Sequence, residues 1–261
     1  MIGQRVIPLA GIHNFRDYGG YDADGGRVRT GVLFRSGQHV DATDADLAAV
    51  AALDIGTVVD LRGDSERRLY PCRRANGFAA EIVFTDGETT GSDPVAPHEE
   101  VARVVRTASD AHRRMAELYK SMPFRPVLAA ALQHYFAALA DRDGVNLVHC
   151  LAGKDRTGIA VAVLHDLLGV HPDDIMADYL LTNTAGNIER RLAAGARMIR
   201  AGVGRDMDDD AVRTVMSVHP EYLDNAFAAI HAEHGSVAAY AEARLDVLPV
   251  MRARLIARYV A

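Results

Sequence analysis

Apolar positions along the chain fall into short runs separated by polar, glycine-rich stretches. Gly56 to Leu61, Glu81 to Thr85 and Val145 to Val148 are compact apolar segments of strand length, the pattern of strands buried on both faces. Helical spacing runs over about 99–119 and 125–141, divided by Pro123 and Pro126, and again over Ile159 to Leu168. Thr43-Asp44-Ala45-Asp46 has the form of a helix cap, opening a short helix to about Leu53. Near the N-terminus, Asp22 to Gly26 predicts a turn and Val28 to Phe34 an extended segment. Asp86 to Pro97, with its glycines, threonines and two prolines, predicts a flexible stretch.

Short strands alternating with helices predict an α/β fold with a mostly parallel central sheet covered by helices. Ligands bind such sheets at the carboxyl ends of the strands, where Asp60 and Cys150 fall. After His171-Pro172 the spacing is helical to the end, from Asp173 to Val203 and from Asp209 to Ile230. The expectation is a single domain over residues 1–261 with an extended helical C-terminal region. Within it, about 185–235 is either a lid over the cleft, with Asn187 to Val203 as its first helix and a hinge at Gly202 and Gly204, or a fixed helical layer.

Composition narrows the function classes. A net charge of −6 with no basic stripe argues against a nucleic-acid partner. Two cysteines, Cys72 and Cys150, cannot make a disulfide framework and suit a reducing compartment. No apolar run reaches the ~18 residues of an integral membrane segment, and Met1 to Gly11 has no signal-peptide core. The expected location is cytoplasmic, with export lacking a recognisable signal as the alternative. Oligomeric state is not legible.

The chemistry concentrates in His149-Cys150-Leu151-Ala152-Gly153-Lys154-Asp155-Arg156-Thr157-Gly158, between a predicted strand and a predicted helix. A strand, a tight loop and a helix N-terminus bring several backbone N–H groups to one point, a cradle for phosphate. A cysteine at its base becomes a nucleophile, because helix N-termini and cationic neighbours favour the thiolate. Arg156 offers a planar fork that matches two phosphate oxygens. The backbone from Leu151 through Ala152, Gly153 and Lys154 to Arg156 would hold the remaining oxygens as charge spreads over them. The Thr157 hydroxyl is placed to assist departure of the Cys150 sulfur, and His149 to orient the loop.

This loop resembles the P-loop of the protein tyrosine phosphatase superfamily. Its Gly-Lys-Asp-Arg-Thr-Gly form resembles a bacterial branch of tyrosine and dual-specificity phosphatases, some members of which act on phosphoinositides. Two further blocks resemble that branch: Asn14-Phe15-Arg16-Asp17-Tyr18-Gly19-Gly20 with Gly31 to Gly37, and Val58-Val59-Asp60-Leu61-Arg62 with Ser65-Glu66-Arg67. The likeness spans roughly residues 10 to 185.

The resemblance implies hydrolysis of phosphate monoesters, chiefly protein phosphotyrosine, without a metal or other cofactor. Phosphoserine, phosphothreonine and phosphoinositide substrates stay open. It also makes Asp155 the first candidate for general acid, against a plain helix-capping role. Asp60 is the second candidate, or a group that fixes the loop; Asp86 and Asp93 rank lower. Lys154 would add positive charge at the rim, as phosphoinositide-active relatives do. Arg16 and Asp17 are expected to buttress the loop, and Tyr119 to be a pocket wall or a core tyrosine. Cys72 is either a buried thiol or a partner for an oxidised Cys150.

Two alternatives from other classes are a silent module that binds phosphorylated ligands and a rhodanese-type sulfurtransferase. Asp206, Asp208 and Asp210 have calcium-loop spacing, but Ala211 and Ser217 stand where glycine and glutamate are needed, so an acidic helix start is the better reading. His231 and His234 lack further metal ligands and are read as surface histidines.

Overall fold

The structure, a computed structural model, describes residues 5–90, 105–186, 188–203 and 208–261. Among the described residues the central sheet has five strands: β1 (Arg16–Asp17), β4 (Leu33–Ser36), β5 (Ile55–Asp60), β6 (Glu81–Val83) and β7 (Val145–His149). Their spatial order is β1-β4-β7-β5-β6, parallel except for β1, which runs antiparallel to β4. Two short strands, β2 (Asp22–Ala23) and β3 (Gly26–Arg27), form the hairpin expected around the Asp22 to Gly26 turn. The α/β class and the mostly parallel sheet are as expected.

Neighbouring strand residues divide between two cores, because successive side chains point to opposite faces. Leu33, Val59 and Val148 pack into the larger core, while Phe34, Val58 and Leu147 pack into the smaller one. The smaller core is closed by Leu47 of α1 (Asp44–Ala51). Thr43 caps α1 and forms a reciprocal capping box with Asp46, as the sequence pattern requires. Asp46 also accepts from the N–H groups of Ala10 and Gly11, at 2.8 Å each, which ties the N-terminal segment to this helix.

The larger core is built from α3 (Ala108–Ser121), α4 (Pro126–Asp141) and α5 (Asp155–Leu167) together with the C-terminal helices. A short helix, α2 (Asp64–Leu69), follows β5. The helix expected from about residue 99 begins at Ala108 with Thr107 as its cap, and residues 99–104 lie outside the described residues.

The helical C-terminal half consists of α6 (Pro172–Leu180), α7 (Ile188–Val203), α8 (Asp209–Met216), α9 (Pro220–His234), α10 (Val237–Leu245) and α11 (Pro249–Tyr259). The single helix expected from Asp209 to Ile230 is two helices. The break falls at Ser217–His219, since Pro220 cannot donate a backbone hydrogen bond and is tolerated only in a first turn. Asp208 caps α8 through the N–H of Ala211, with Asp209 and Asp210 in the first turn, so these acids open a helix. Asn187, Gly204 and Asp206 lie outside the described residues. Both α8 and α9 pack against α3.

Candidate active site

The register of the sheet brings the sequence blocks together. Ser36 at the end of β4 and Asp60 at the end of β5 both lie opposite His149, the last residue of β7. Cys150 follows at once and is 2% exposed. The loop Leu151 to Lys154 then turns into α5, whose first residues are Asp155, Arg156 and Thr157.

The carbonyl groups of this loop are drawn onto the N-terminal blocks. The Leu151 carbonyl accepts from the Gln38 N–H at 2.9 Å. The Gly153 carbonyl accepts from Asn14 Nδ2 at 2.5 Å and Arg35 Nη2 at 3.1 Å. Gly153 has φ +65°, and a Cβ there would lie 2.4 Å from the Ser36 carbonyl, so only glycine fits. With the carbonyls engaged, the N–H groups of Leu151, Ala152, Gly153, Asp155, Arg156 and Thr157 find no acceptor among the described residues. A run of unpaired N–H groups at a helix N-terminus is an anion cradle.

Arg156 is buried and held by α2. Glu66 accepts from both Nη1 and Nη2, the second at 2.7 Å, and Nη1 also donates to Thr89 Oγ1 at 2.8 Å and to the Leu61 carbonyl at 3.3 Å. Nε has no partner although it is buried. The remaining Nε and Nη2 protons lie on one edge of the guanidinium, the two-toothed edge that fits a phosphate. Burial opposes the charge on Arg156, but the Glu66 carboxylate outweighs it and holds the guanidinium cationic.

A buried ionic cluster underlies the loop. Asp178 of α6 pairs with Arg16 Nε at 3.3 Å and Arg35 Nη1 at 2.7 Å. Arg16 also donates to Asn14 Oδ1, orienting the side chain that grips Gly153. Burial and neighbouring Arg35 push Arg16 down to about 10. For Asp178, burial works against ionisation, but the two arginines hold it well below the usual carboxylate range. Arg16 thus supports the loop as expected. Asp17 does not: its carboxylate accepts from Gly19 and Gly31 N–H groups at 2.7 and 2.5 Å, because antiparallel β1 ends there and its turn needs acceptors.

Asp60 is clasped by Arg62, with Nε at 2.8 Å from Oδ1 and Nη2 at 2.6 Å from Oδ2. Burial would raise its titration, yet His149 and Arg62 hold it well below the usual carboxylate range. Burial pushes His149 itself down to about 4, against the pull of Asp60, so at neutral pH Arg62 is the partner that keeps Asp60 ionised. A carboxylate so held is poorly suited to donate a proton. His149 Nδ1 lies 3.3 Å from the Cys150 carbonyl, and its ring stacks on His39 at 5.6 Å.

Asp155 is buried. Oδ1 accepts from the Tyr119 hydroxyl at 2.8 Å and lies 3.1 Å from Lys154 Nζ. Lys154 is not at a rim. Its Nζ is buried and donates to the carbonyls of Val215 at 2.7 Å and Ser217 at 3.1 Å, because the last turn of α8 leaves carbonyls unpaired and carries partial negative charge. Thr157 Oγ1 is buried without a hydrogen-bond partner. Cys72 is half-buried and accepts from the His39 N–H at 3.3 Å. Asp86 is exposed, and Asp93 lies outside the described residues.

A cavity of about 250 Å³ lies elsewhere, between α1 and residues 73–80, and none of the loop residues from Cys150 to Thr157 lines it. Among the described residues no group of three or more histidines, cysteines or acids is placed to hold a metal ion, and no helix is long and apolar enough to cross a membrane.

Glu66, Asn14 and Arg35 lie in the sequence blocks with no role marked there, and Asp178 lies outside every block. The signal for the first three was a charged or amide side chain in an otherwise apolar or glycine-rich block. Asp178 carries no such signal, lying in an amphipathic helix 143 residues from Arg35.

The mostly parallel sheet thus carries a Cys-loop-Arg turn at the end of its central strand, β7. A model of the tyrosine phosphatase family matches residues 7–261, and the chain belongs to that family. It is 35% identical over 264 residues, covering 99% of this chain and 90% of the relative, to a protein of Cupriavidus necator named as a candidate tyrosine-protein phosphatase. It is 32% identical over 261 residues to the triple specificity protein phosphatase PtpB of Mycobacterium tuberculosis, covering 90% of this chain and 92% of that one. A tyrosine-protein phosphatase of Nostoc commune is 28% identical over 206 residues, covering 76% of this chain and 64% of the relative.

Proposed function

We propose that this member of the family hydrolyses phosphate monoesters, chiefly phosphotyrosine in proteins, through a thiophosphate on Cys150 and without a metal. The observation that carries the reading is the run of N–H groups around a buried cysteine, next to an arginine whose one open edge matches a phosphate.

Arg156 and the loop N–H groups bind the phosphoryl oxygens, and the Cys150 thiolate attacks phosphorus as the ester oxygen leaves. Asp155 protonates that oxygen, then takes a proton from the water that releases phosphate. Asp60 serves as a fixed anion that positions His149 and the strand end. The relative named for triple specificity supports a wider range that includes phosphoserine, phosphothreonine and phosphoinositides. A substrate panel with wild type and Arg156→Lys tests the reading. Loss of at least a hundredfold in kcat/KM on every accepted phosphate ester is expected, since lysine cannot supply the fork; near-wild-type turnover by the lysine variant would contradict it.

A further inference from the structure

Three buried hydroxyl and carboxyl groups stand in line beside the loop. Tyr179 of α6 donates to the Tyr119 hydroxyl at 2.9 Å, and Tyr119 of α3 donates to Asp155 Oδ1 at 2.8 Å. Tyr119 is fully buried and Tyr179 is 1% exposed. The direction of the chain is fixed, since a phenol has one proton to give and the carboxylate can only accept. Burial, with Asp155 close by, raises both tyrosines well above the ordinary phenol range, so each stays a donor throughout neutral pH.

The side-chain hydrogen bond that the Asp155 carboxylate accepts among the described residues falls on Oδ1, from Tyr119, and Lys154 Nζ stands 3.1 Å from the same oxygen. Oδ2 accepts no hydrogen bond from the described residues. The two oxygens of this acid are therefore not equivalent.

We infer that Tyr179 and Tyr119 act as a hydroxyl chain that commits Oδ1 of Asp155 as an acceptor and leaves Oδ2 as the oxygen that carries the proton, which makes Tyr179 a positioning residue for leaving-group protonation. The inference rests on the reading of Asp155 as general acid. In the first step the Oδ2–H bond breaks as the P–O bond to the leaving group breaks, and the proton passes to the leaving oxygen. The carboxylate so formed is stabilised by the Tyr119 hydroxyl and Lys154. In the second step the attacking water returns a proton to Oδ2 as its oxygen bonds to phosphorus and the S–P bond breaks.

The α5 helix is fitted to this chain. A Cβ on Gly158 would lie 3.0 Å from the Tyr179 ring, so glycine lets the helix sit against the ring without displacing it by a few tenths of an ångström.

The test is the dependence of rate on the leaving group, which a structural role would not move. Single-turnover kcat is measured on phenyl phosphate, whose leaving group needs a proton, and on 2,4-dinitrophenyl phosphate, whose leaving group does not. Tyr179→Phe, Tyr119→Phe and Asp155→Asn are compared with wild type, alone and as Asp155→Asn/Tyr179→Phe. The expected result for Tyr179→Phe is a roughly tenfold loss on phenyl phosphate, a part of the full general-acid contribution of about 10²–10⁴, and less than twofold on the dinitrophenyl ester. In the Asp155→Asn background the tyrosine change should add nothing.

An equal loss by Tyr179→Phe on both esters, or no loss on either, overturns the chain while leaving Asp155 as the acid. Undiminished phenyl phosphate turnover by Asp155→Asn is a different result, which removes the acid itself and the chain with it. Should Tyr179→Phe fail to fold, Tyr119→Phe carries the same comparison.

Discussion

Glu66 holds the guanidinium of Arg156 by both terminal nitrogens, turning the Nε edge away from α2. The pair joins a residue of the helix after β5 to one of the helix after β7, so one contact ties the two halves of the proposed anion site together. Replacing Glu66 with Gln keeps the shape and removes the charge. A fall in kcat/KM of about tenfold on p-nitrophenyl phosphate is expected, with a smaller change in melting temperature than for Glu66→Ala. Alanine leaves a buried guanidinium without its partner, a class of change that costs about 3–5 kcal/mol.

Asp178 neutralises two buried arginines, Arg16 and Arg35, beneath the loop. Asp178→Ala should cost a similar 3–5 kcal/mol. At about 2–4 °C per kcal/mol for a chain of this size, the melting temperature falls on the order of 10 °C. A shift of under 2 °C would show that the cluster relaxes freely, against its burial.

Acid should weaken the fold in a defined window. Burial depresses the titration of His149 to about 4 and lowers that of His39 and His165, while an unfolded histidine titrates near 6.5. Between those values the unfolded chain binds more protons, so stability falls as pH drops below about 6.5 and is fully present above it. Asp60 and Asp178 are also depressed, and their contribution begins to fall near the ordinary carboxylate value of about 4 and is lost progressively below it. Urea midpoints from pH 8 to pH 4.5 should therefore decline from about pH 6.5 downward. A flat profile across pH 4.5–6.5 would be inconsistent with buried neutral histidines.

Lys154 spends its charge on the last carbonyls of α8. Lys154→Met should lower stability and reduce turnover of a phosphotyrosine peptide and of a soluble phosphoinositide by the same factor. A selective loss on the phosphoinositide would place the lysine on substrate instead.

Much of this was legible in the chain. The apolar run Val145 to Val148 and the Thr43 cap specified their elements locally, and the order of short strands and helices specified the sheet. The proposed nucleophile and anion fork were visible because Cys150 and Arg156 sit in one continuous loop. What was not legible came from distant partners. Nothing near Lys154 says that its ammonium will meet Ser217, 63 residues away, or that Asp178 will sit beneath Gly153. The split at Ser217–His219 was also hidden, because the apolar spacing runs through it and only Pro220 marks the boundary.

The central claim is that Cys150 forms a covalent phosphoryl intermediate without a metal. The most direct measurement is p-nitrophenyl phosphate hydrolysis in excess EDTA by wild type and Cys150→Ser, with rapid acid quench and peptide mass analysis. The account predicts EDTA-resistant turnover by wild type alone, with one phosphoryl group on the peptide that contains Cys150. Equal turnover by the serine variant, or turnover with no phosphoryl group on that peptide, would contradict it.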